Sequence, residues 1–287
     1  MAATWRVVSE LTAGERDARD ALLASIVGDS GEEALTEAQR ERLAERAPLR
    51  HALRERAGVL DGYAVLADGP ILEAEPALGT FDEDLAMLLE SAAAPTDLLL
   101  RNADDDVDAV LRARGWRPGR TVLHLTRGLP APDPPHSDVT VRAFVPGRDE
   151  QAWVDANNAA FAGHPSQSAM TVERLGLRER AEWFDPAGFL FFEDHGELVA
   201  SCWTKMRRTE DGVVGEIYVI FVVPGAQGRG LGRHATLEGL RSLFERGARR
   251  AELFVESTNV AGRALYAELG FEPCERVVVY RFEPPRP

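Results

Sequence analysis

The stretch VVPGAQGRGLGRHA, from Val222 to Ala235, decides the fold. It follows an apolar run that is typical of a buried strand, and it precedes a segment with helical periodicity. Its glycines let a ligand approach the backbone closely, and a helix that begins here points its first N–H groups back at the loop. With two arginines in addition, the loop is predicted to bind a phosphate-like anion.

The composition bounds the class of protein. Of 287 residues, 45% are hydrophobic, which is typical of a soluble globular protein with room for two modest domains. The formal net charge of −14 disfavours a nucleic-acid partner, and no apolar run predicts a membrane span or a signal peptide. Cys202 and Cys274 suit a reducing compartment and have no neighbours at metal-ligand spacing. We therefore expect a cytoplasmic monomer that binds no metal.

An internal repeat divides the chain. The proline-rich stretch GLPAPDPPHSD, residues 128–138, predicts a linker. The pattern after it predicts a strand, two helices, three strands, a helix, a strand, a helix and a last strand. Residues 1–127 give a blurred copy of this order. At an offset of 155 residues, four positions of the first copy (Gly115, Trp116, Pro118, Val122) match four of the second (Gly270, Phe271, Pro273, Val277). We expect two α/β domains with mixed sheets, at residues 1–127 and 139–287.

The two copies differ at the anion loop. The first copy has EAEPALGTFDEDL in its place, with one glycine, no arginine and three carboxylates (Asp82, Glu83, Asp84) at the start of the helix. Carboxylates at a helix N-terminus occupy an anion site and repel a second anion. Leu111 stands where the second copy has Tyr266. The first domain is therefore expected to be non-catalytic.

Two interpretations of the loop compete. One is a dinucleotide-binding fingerprint, Gly230-x-Gly232-x-x-Ala235, with Glu256 at the end of the next strand. Against it, six residues beginning with Pro224 separate the strand from Gly230, and the segments before it are typical of hairpins. The other takes Q-x-x-G-x-G, residues 227–232, as a cradle for a pyrophosphate.

The second interpretation resembles the acetyl-CoA motif of the GNAT family of N-acetyltransferases. It is followed, as in that family, by Asn259, Tyr266 and the triplet LGF at residues 269–271. The segments NNAAFAGHP (157–165), EWFDPAG (182–188), WTK (203–205), GEIYVIFV and FVESTNV are similar to the mycothiol synthase branch, whose members contain two GNAT domains in tandem. The resemblance implies transfer of acetyl from acetyl-CoA to the cysteinyl amine of cysteinyl-glucosaminyl-inositol, the last step of mycothiol biosynthesis.

The resemblance also implies two catalytic residues. Glu216 interrupts the apolar strand VVGEIYVIFVV, where a carboxylate is costly to bury without a partner. In the family, the glutamate at this position contacts the substrate amine, which makes Glu216 the candidate general base. Tyr266 is the candidate acid that protonates the leaving thiolate. A solvated strand-end glutamate and a core tyrosine are the alternatives.

Four further positions bear on the acceptor. Lys205 is the only lysine among 33 basic residues, a weak sign that a compact ammonium is needed there. The resemblance places Lys205 and Glu37 on the substrate. It also shows two departures, Ser166 and Phe254, where the family has a glutamate and a tyrosine that bind substrate. Each lost polar contact weakens binding by roughly 0.5–1.5 kcal/mol, so another small amine, or a coenzyme A sensor without turnover, remains an alternative.

The expected contacts with acetyl-CoA follow from the motif. Backbone groups after Glu216 should pair with the pantetheine arm where the strands splay apart, as an added strand would. The contacts expected in the strand, the loop and the last helix are Ile220, Phe221, Val222, Gln227, Gly228, Arg229, Gly230, Leu231, Gly232, Arg233, Asn259 and Arg263.

Overall fold

The computed structural model describes residues 4–30, 34–44, 49–69, 71–92, 94–162, 170–209 and 212–284. In chain order the elements are β1 (Thr4–Val8), α1 (Ala13–Ser30), α2 (Glu37–Ala44), β2 (Leu49–Arg56), β3 (Val59–Ala67), β4 (Leu72–Pro76), α3 (Glu83–Ser91), β5 (Thr96–Arg101), α4 (Asp105–Ala113), β6 (Arg117–Gly128), β7 (Thr140–Ala143), α5 (Glu150–Ala160), α6 (Val172–Glu179), β8 (Phe189–Asp194), β9 (Glu197–Thr209), β10 (Gly212–Val222), α7 (Leu231–Glu245), β11 (Arg250–Glu256), α8 (Val260–Glu268) and β12 (Glu272–Phe282). The first ten elements and the last ten have the same order of types, which confirms the predicted repeat.

The chain folds into two compact units, residues 1–122 with 275–287, and residues 123–274. In the first unit the strand order is β1-β2-β3-β4-β5-β12, and all neighbours are antiparallel except β4 and β5. Helix α3 buries Leu85 and Leu89 against one face of this sheet. Helix α1 packs partly buried leucines on a second cluster around Leu53 and Tyr63.

In the second unit the strand order is β6-β11-β10-β9-β8-β7. Strands β7 to β10 form an antiparallel meander, and β11 pairs with β10 in parallel after the crossover through α7. His195 and Gly196, both with positive φ, make the tight turn between β8 and β9 that the sequence predicts. Helix α7 packs on one face of the sheet, and α5 and α6 pack on the other around Trp153 and Leu175.

A β-bulge at Tyr218 reverses the faces of β10. Ile217 pairs with Thr204, and Val219 pairs with the next residue back along β9, Trp203, so one residue of β10 has no counterpart. Before the bulge the odd-numbered residues of β10 pack toward α7, as Ile217 does. After it, Val219 packs with Trp203 on the opposite face.

The predicted domain boundary differs from the observed division at the C-terminus. Residues 275–287, expected in the catalytic domain, belong to the first unit, because β12 pairs with β5 from Val277↔Arg101 to Phe282↔Thr96. Trp116 packs against Phe282, with ring centroids 5.2 Å apart, in the core of that unit. The predicted linker corresponds to residues 129–139, which form neither helix nor strand.

Candidate active site

The pairing of β10 with β11 ends within the sheet. The register runs from Val214↔Arg250 to Ile217↔Leu253 and stops there, although both strands continue. The bulge at Tyr218 lies at this point. A gap between two strands next to a bulge leaves room for an extended ligand to add its backbone-like groups to the sheet edge.

The predicted contacts in β10 lie directly after the bulge. Ile220 and Val222 pack toward α7, and Phe221 is buried on the opposite face among Trp153 and Phe161. Their side chains therefore fix the strand from both faces. The backbone of this segment borders the side of β10 that no longer pairs with β11.

The glycine loop opens directly onto the N-terminus of α7. Gly228 and Gly230 both have φ of +77°, a region that residues with a Cβ adopt only with strain. Gly230 is the N-cap of α7, and it offers no side chain that could satisfy the first N–H groups of the helix. Ala226 is buried, and Gln227 Nε2 donates to the Val222 carbonyl oxygen at 3.4 Å. The loop is thus anchored at its base and leaves the helix N-terminus uncapped by side chains.

The remaining loop residues divide between core and surface. Leu231 is buried in the core beneath the loop, and Gly232 lies so close to α8 that a Cβ would contact Leu265 at 3.7 Å. Both predicted phosphate-binding arginines form surface ion pairs in the protein alone. Arg229 lies 2.7 Å from Asp194 and Arg233 lies 3.2 Å from Glu268. An anion at the loop would compete with these carboxylates for the two guanidinium groups.

The equivalent helix of the first unit is capped by its own carboxylate. Asp82 precedes α3, and its Oδ1 accepts a hydrogen bond from Leu85 N at 3.0 Å and from Trp5 Nε1 at 2.7 Å. Arg54 pairs with the other oxygen of Asp82. The helix N-terminus that would hold an anion is therefore already satisfied, in agreement with the reasoning from sequence.

Helix α8 brings three predicted residues to the second unit. Asn259 is its N-cap, and the Asn259 side-chain oxygen accepts from Gly262 N at 2.8 Å. Arg263 donates from Nη1 to the Ser257 carbonyl oxygen at 2.9 Å. Both residues thus hold the turn between β11 and α8, which borders the gap.

Tyr266 is buried within the core on the α7 side of the sheet. Its ring packs edge-on against Phe271, with centroids 5.8 Å apart. Burial, with a smaller contribution from Cys202, raises the pKa of the Tyr266 hydroxyl well above its usual value. The hydroxyl therefore keeps its proton at neutral pH.

Glu216 and Lys205 form a cross-strand pair. They lie directly opposite each other in β10 and β9, and Glu252 of β11 lies opposite Glu216 on its other side. Residues directly opposite each other project to the same face of a sheet. Glu216 precedes the bulge and is even-numbered, so it lies on the face opposite α7, whereas Tyr266 packs on the α7 side. The candidate base and acid therefore lie on opposite faces of the sheet.

The Lys205 ammonium is enclosed by aromatic rings. Its Nζ lies 3.2 Å from the ring centroid of Tyr218 and 3.9 Å from that of Trp183. The residue is 6% exposed. A ring quadrupole stabilises a desolvated cation, which explains how the buried Lys205 can remain charged. Lys205, Glu216 and Glu252 lie side by side on three neighbouring strands and are called the cross-strand row below.

On β11, Phe254 lies on the same face of the sheet as Glu252 of the cross-strand row. Phe254 is 50% exposed and stacks on His124, with ring centroids 4.4 Å apart. His124 Nε2 lies 3.3 Å from Glu252 Oε2, and Arg207 Nη2 donates to Glu252 Oε1 at 2.8 Å. Burial by itself would raise the pKa of Glu252, but the contacts with His124 and Arg207 outweigh it and leave that pKa below its usual value.

Two predicted substrate residues cannot be placed. Ser166 lies outside the described residues, and so does the side chain of Glu37, the first residue of α2 in the first unit. Three further residues of this face were not predicted from the sequence: Glu252, His124 and Arg207. The period-2 alternation of AELFVEST already places Glu252 and Phe254 on one face, whereas nothing in the sequence connects His124 to them.

Metal and membrane features are absent from the described part of the chain. Over those ranges, no group of three or more His, Cys, Asp or Glu side chains could hold a metal ion. No helix there combines the length and the hydropathy needed to cross a membrane.

Comparisons with known proteins show the family and the fold. A sequence profile of the acetyltransferase (GNAT) family matches residues 151–271. The mycothiol acetyltransferase of Streptomyces avermitilis is 37% identical over 299 residues, which cover 96% of this chain and 94% of the relative. Two solved structures share the fold. A GCN5-related N-acetyltransferase from Sphaerobacter thermophilus has a TM-score of 0.73 at 23% identity, covering 97% of this chain and 95% of its own. A tandem GNAT protein from the clavulanic acid biosynthesis pathway has a TM-score of 0.69 at 15% identity over the full length of both chains.

Proposed function

The chain belongs to the mycothiol acetyltransferase family, and from this premise we propose that it acetylates the cysteinyl amine of cysteinyl-glucosaminyl-inositol with acetyl-CoA. It is an acetyltransferase with the GNAT fold, as the sequence predicts, and the dinucleotide-binding alternative is wrong. Strands β8 to β10 form a meander and not the βαβ units that a dinucleotide fold requires. The acceptor amine and the role of each residue are the proposal.

Acetyl-CoA would bind as the second substrate along β10 and the glycine loop. The two glycines with positive φ and the N-terminus of α7 fit a pyrophosphate, because backbone N–H groups converge there without a side-chain cap. The segment Ile220–Val222, no longer paired with β11, fits an extended pantetheine arm. A backbone N–H of this segment would polarise the thioester carbonyl.

Glu216 would act as the general base. The acceptor arrives as an ammonium, and its nitrogen must lose a proton before it can attack the thioester carbonyl. Glu216 takes up this proton, directly or through a water molecule. Lys205, one strand away, would donate to hydroxyl groups of the acceptor sugar or inositol.

Tyr266 would act as the general acid. When the carbon–sulfur bond breaks, the departing thiolate needs a proton. The Tyr266 hydroxyl, which is protonated at neutral pH, would supply it. No covalent intermediate on the enzyme is needed. Burial raises the pKa of the Cys202 thiol to about 12, so that side chain is not a nucleophile at neutral pH.

The gap between β10 and β11 carries the proposal. It begins where the pairing ends at Ile217↔Leu253, one residue after Glu216, and Tyr266 packs in the core on the α7 side of the sheet. An amine can thus approach from one side of the sheet while the thiolate departs toward the other. Such alignment of two reactants supplies a large part of the rate enhancement in a direct transfer.

The test is coenzyme A release with acetyl-CoA and cysteinyl-glucosaminyl-inositol. We expect Glu216→Gln to lower kcat by about 10²- to 10⁴-fold, the usual contribution of a general base, and to leave the KM for acetyl-CoA unchanged. Glu197→Gln, an exposed glutamate at the start of β9, is the control and should keep full activity. Binding of acetyl-CoA by the wild type without turnover of this acceptor would refute the proposed acceptor and favour another small amine or a coenzyme A sensor.

A further inference from the structure

The sheet face opposite α7, which contains Glu216 and Lys205 and is called the acceptor face below, has a second carboxylate that the proposed reaction does not use. Glu252 is 6% exposed and lies directly opposite Glu216 on the neighbouring strand. A carboxylate in this position is costly unless it is paired. The protein pairs it twice, with Arg207 of β9 and with His124 of β6.

The ion pair of Arg207 and Glu252 spans three strands of the sheet. Arg207 is on β9, where Val214 of β10 is its cross-strand partner, so its guanidinium reaches across β10 to touch Glu252 on β11. The crossing point is two residues from Glu216. Glu216 therefore lies among Lys205, Arg207 and Glu252 on one face of the sheet.

The charges of these four side chains balance. Two are cations, Lys205 and Arg207, and two are carboxylates, Glu216 and Glu252. The contacts with His124 and Arg207 favour the charged form of Glu252, so this carboxylate is negatively charged at neutral pH. Without Glu252, the two cations would leave a net positive field around Glu216, and that field would repel an incoming ammonium group.

We propose that Glu252 is a specificity-determining residue of the acceptor site, the second negative charge that lets an ammonium-bearing acceptor bind beside Glu216. The inference rests on the proposed function and deepens it, because it names the charge state that the site selects. Glu252 acts through its field and through the positions of Arg207 and His124, and it takes no part in the proton transfer itself. The acceptor it favours is a primary ammonium, and a neutral ligand of the same shape gains nothing from it.

The experiment compares two ligands that differ in this charge. The acceptor carries an ammonium, whereas its acetylated product carries a neutral amide in the same place. In Glu252→Gln we expect the KM for the acceptor to rise about tenfold, while the product-inhibition constant and the KM for acetyl-CoA stay within twofold of wild type. A loss of packing alone would weaken amine and amide equally.

A second variant tests the sign of the field. Arg207→Gln removes one cation and leaves the four-residue set with a net negative charge. We expect the preference for amine over amide to increase several-fold, opposite to Glu252→Gln. Since Arg207 is partly exposed, with a side chain 37% accessible, this variant keeps the test informative even if Glu252→Gln folds poorly.

Asp149→Asn is the matched control. Asp149 is a buried carboxylate of the same unit, also held by two arginines, Arg142 and Arg148, but it lies beside β7, four strands away from β11. It should lose stability without changing the amine-to-amide ratio. If the wild type turns over this acceptor but Glu252→Gln keeps the wild-type ratio of amine to amide binding, the inference is wrong and the proposed function stands. A wild type without turnover on this acceptor would overturn the proposed function, and the inference with it.

Discussion

Glu216 and Lys205 lie directly opposite each other in the antiparallel pair of β9 and β10, two residues before the bulge at Tyr218. The only lysine of the chain is therefore the cross-strand partner of the candidate base. Its ammonium lies between the rings of Tyr218 and Trp183, 3.2 and 3.9 Å from their centroids, a space that fits a compact cation. This enclosure gives a physical reason why arginine, used at the other 32 basic positions, is absent from this one.

Lys205→Arg tests that reason. A guanidinium is larger than an ammonium and needs a flat site, so overpacking should cost about 1–3 kcal/mol of stability. We also expect the KM for the acceptor to rise about tenfold with little change in the KM for acetyl-CoA. Steady-state kinetics with each substrate varied in turn would measure both. The reverse exchange at an exposed position of the same strand, Arg208→Lys, keeps a charge away from the Glu216 face and should be tolerated. An equal effect from both variants would contradict the enclosure argument.

Tyr266→Phe removes the proton that the leaving thiolate needs. We expect kcat to fall about 10²-fold or more, because general acids contribute that much. The ring would keep its contact with Phe271 in the core, so the thermal midpoint should change little. Coenzyme A release and a melting curve, measured on one preparation, separate the two effects. Full activity of the variant would assign Tyr266 to the core alone.

The loop makes a prediction about backbone conformation. Gly230 has φ of +77° at the N-cap of α7, and a Cβ there costs about 1–2 kcal/mol. Gly230→Ala should therefore weaken acetyl-CoA binding and lower stability. Gly225→Ala in the same loop is the control, because that glycine has an ordinary φ and open space around its Cβ position. Calorimetric titration with acetyl-CoA should separate the two variants, and equal affinities would contradict the cradle.

Asp149 makes stability depend on pH at the acid end. Burial by itself would raise the pKa of Asp149, but hydrogen bonds from Arg142, Arg148 and the Val145 N–H outweigh it and lower that pKa from 3.8 to about 2. A carboxylate whose pKa is lower in the folded than in the unfolded state stabilises the fold at every pH above its pKa in the unfolded chain. For Asp149 this contribution is lost as the pH falls from about 4 to about 2. The difference corresponds to about 2 kcal/mol.

Denaturant titrations of wild type and Asp149→Asn would measure that contribution. The variant should be less stable by about this amount at pH 7, and the difference should vanish near pH 2. A difference that is independent of pH would show that the ion pairs with Arg142 and Arg148 do not cause it.

Much of the site could be predicted from short motifs. The loop at residues 225–232, the helix after it and the turn before α8 are local structures, and glycine, proline and cap residues determine these within a few positions. The hairpin at His195 and Gly196 was predictable for the same reason. The cross-strand row of Lys205, Glu216 and Glu252 could be predicted only in part. Strand alternation tells which residues of one strand share a face, but it does not tell which strands become neighbours.

The sequence by itself determined the order of elements, the duplication, the loop that precedes α7 and the family of the protein. Only the tertiary structure decided which strand completes which sheet. Residues 115–128 and 270–282 repeat one pattern, so the last strand was equally suited to either unit, and β12 in fact pairs with β5 in the first. Strand pairing uses backbone groups that every residue carries, and long-range packing, as of Trp116 with Phe282, chooses among equivalent partners. The same principle brings His124, Glu252 and Arg207 together from three strands far apart in the chain.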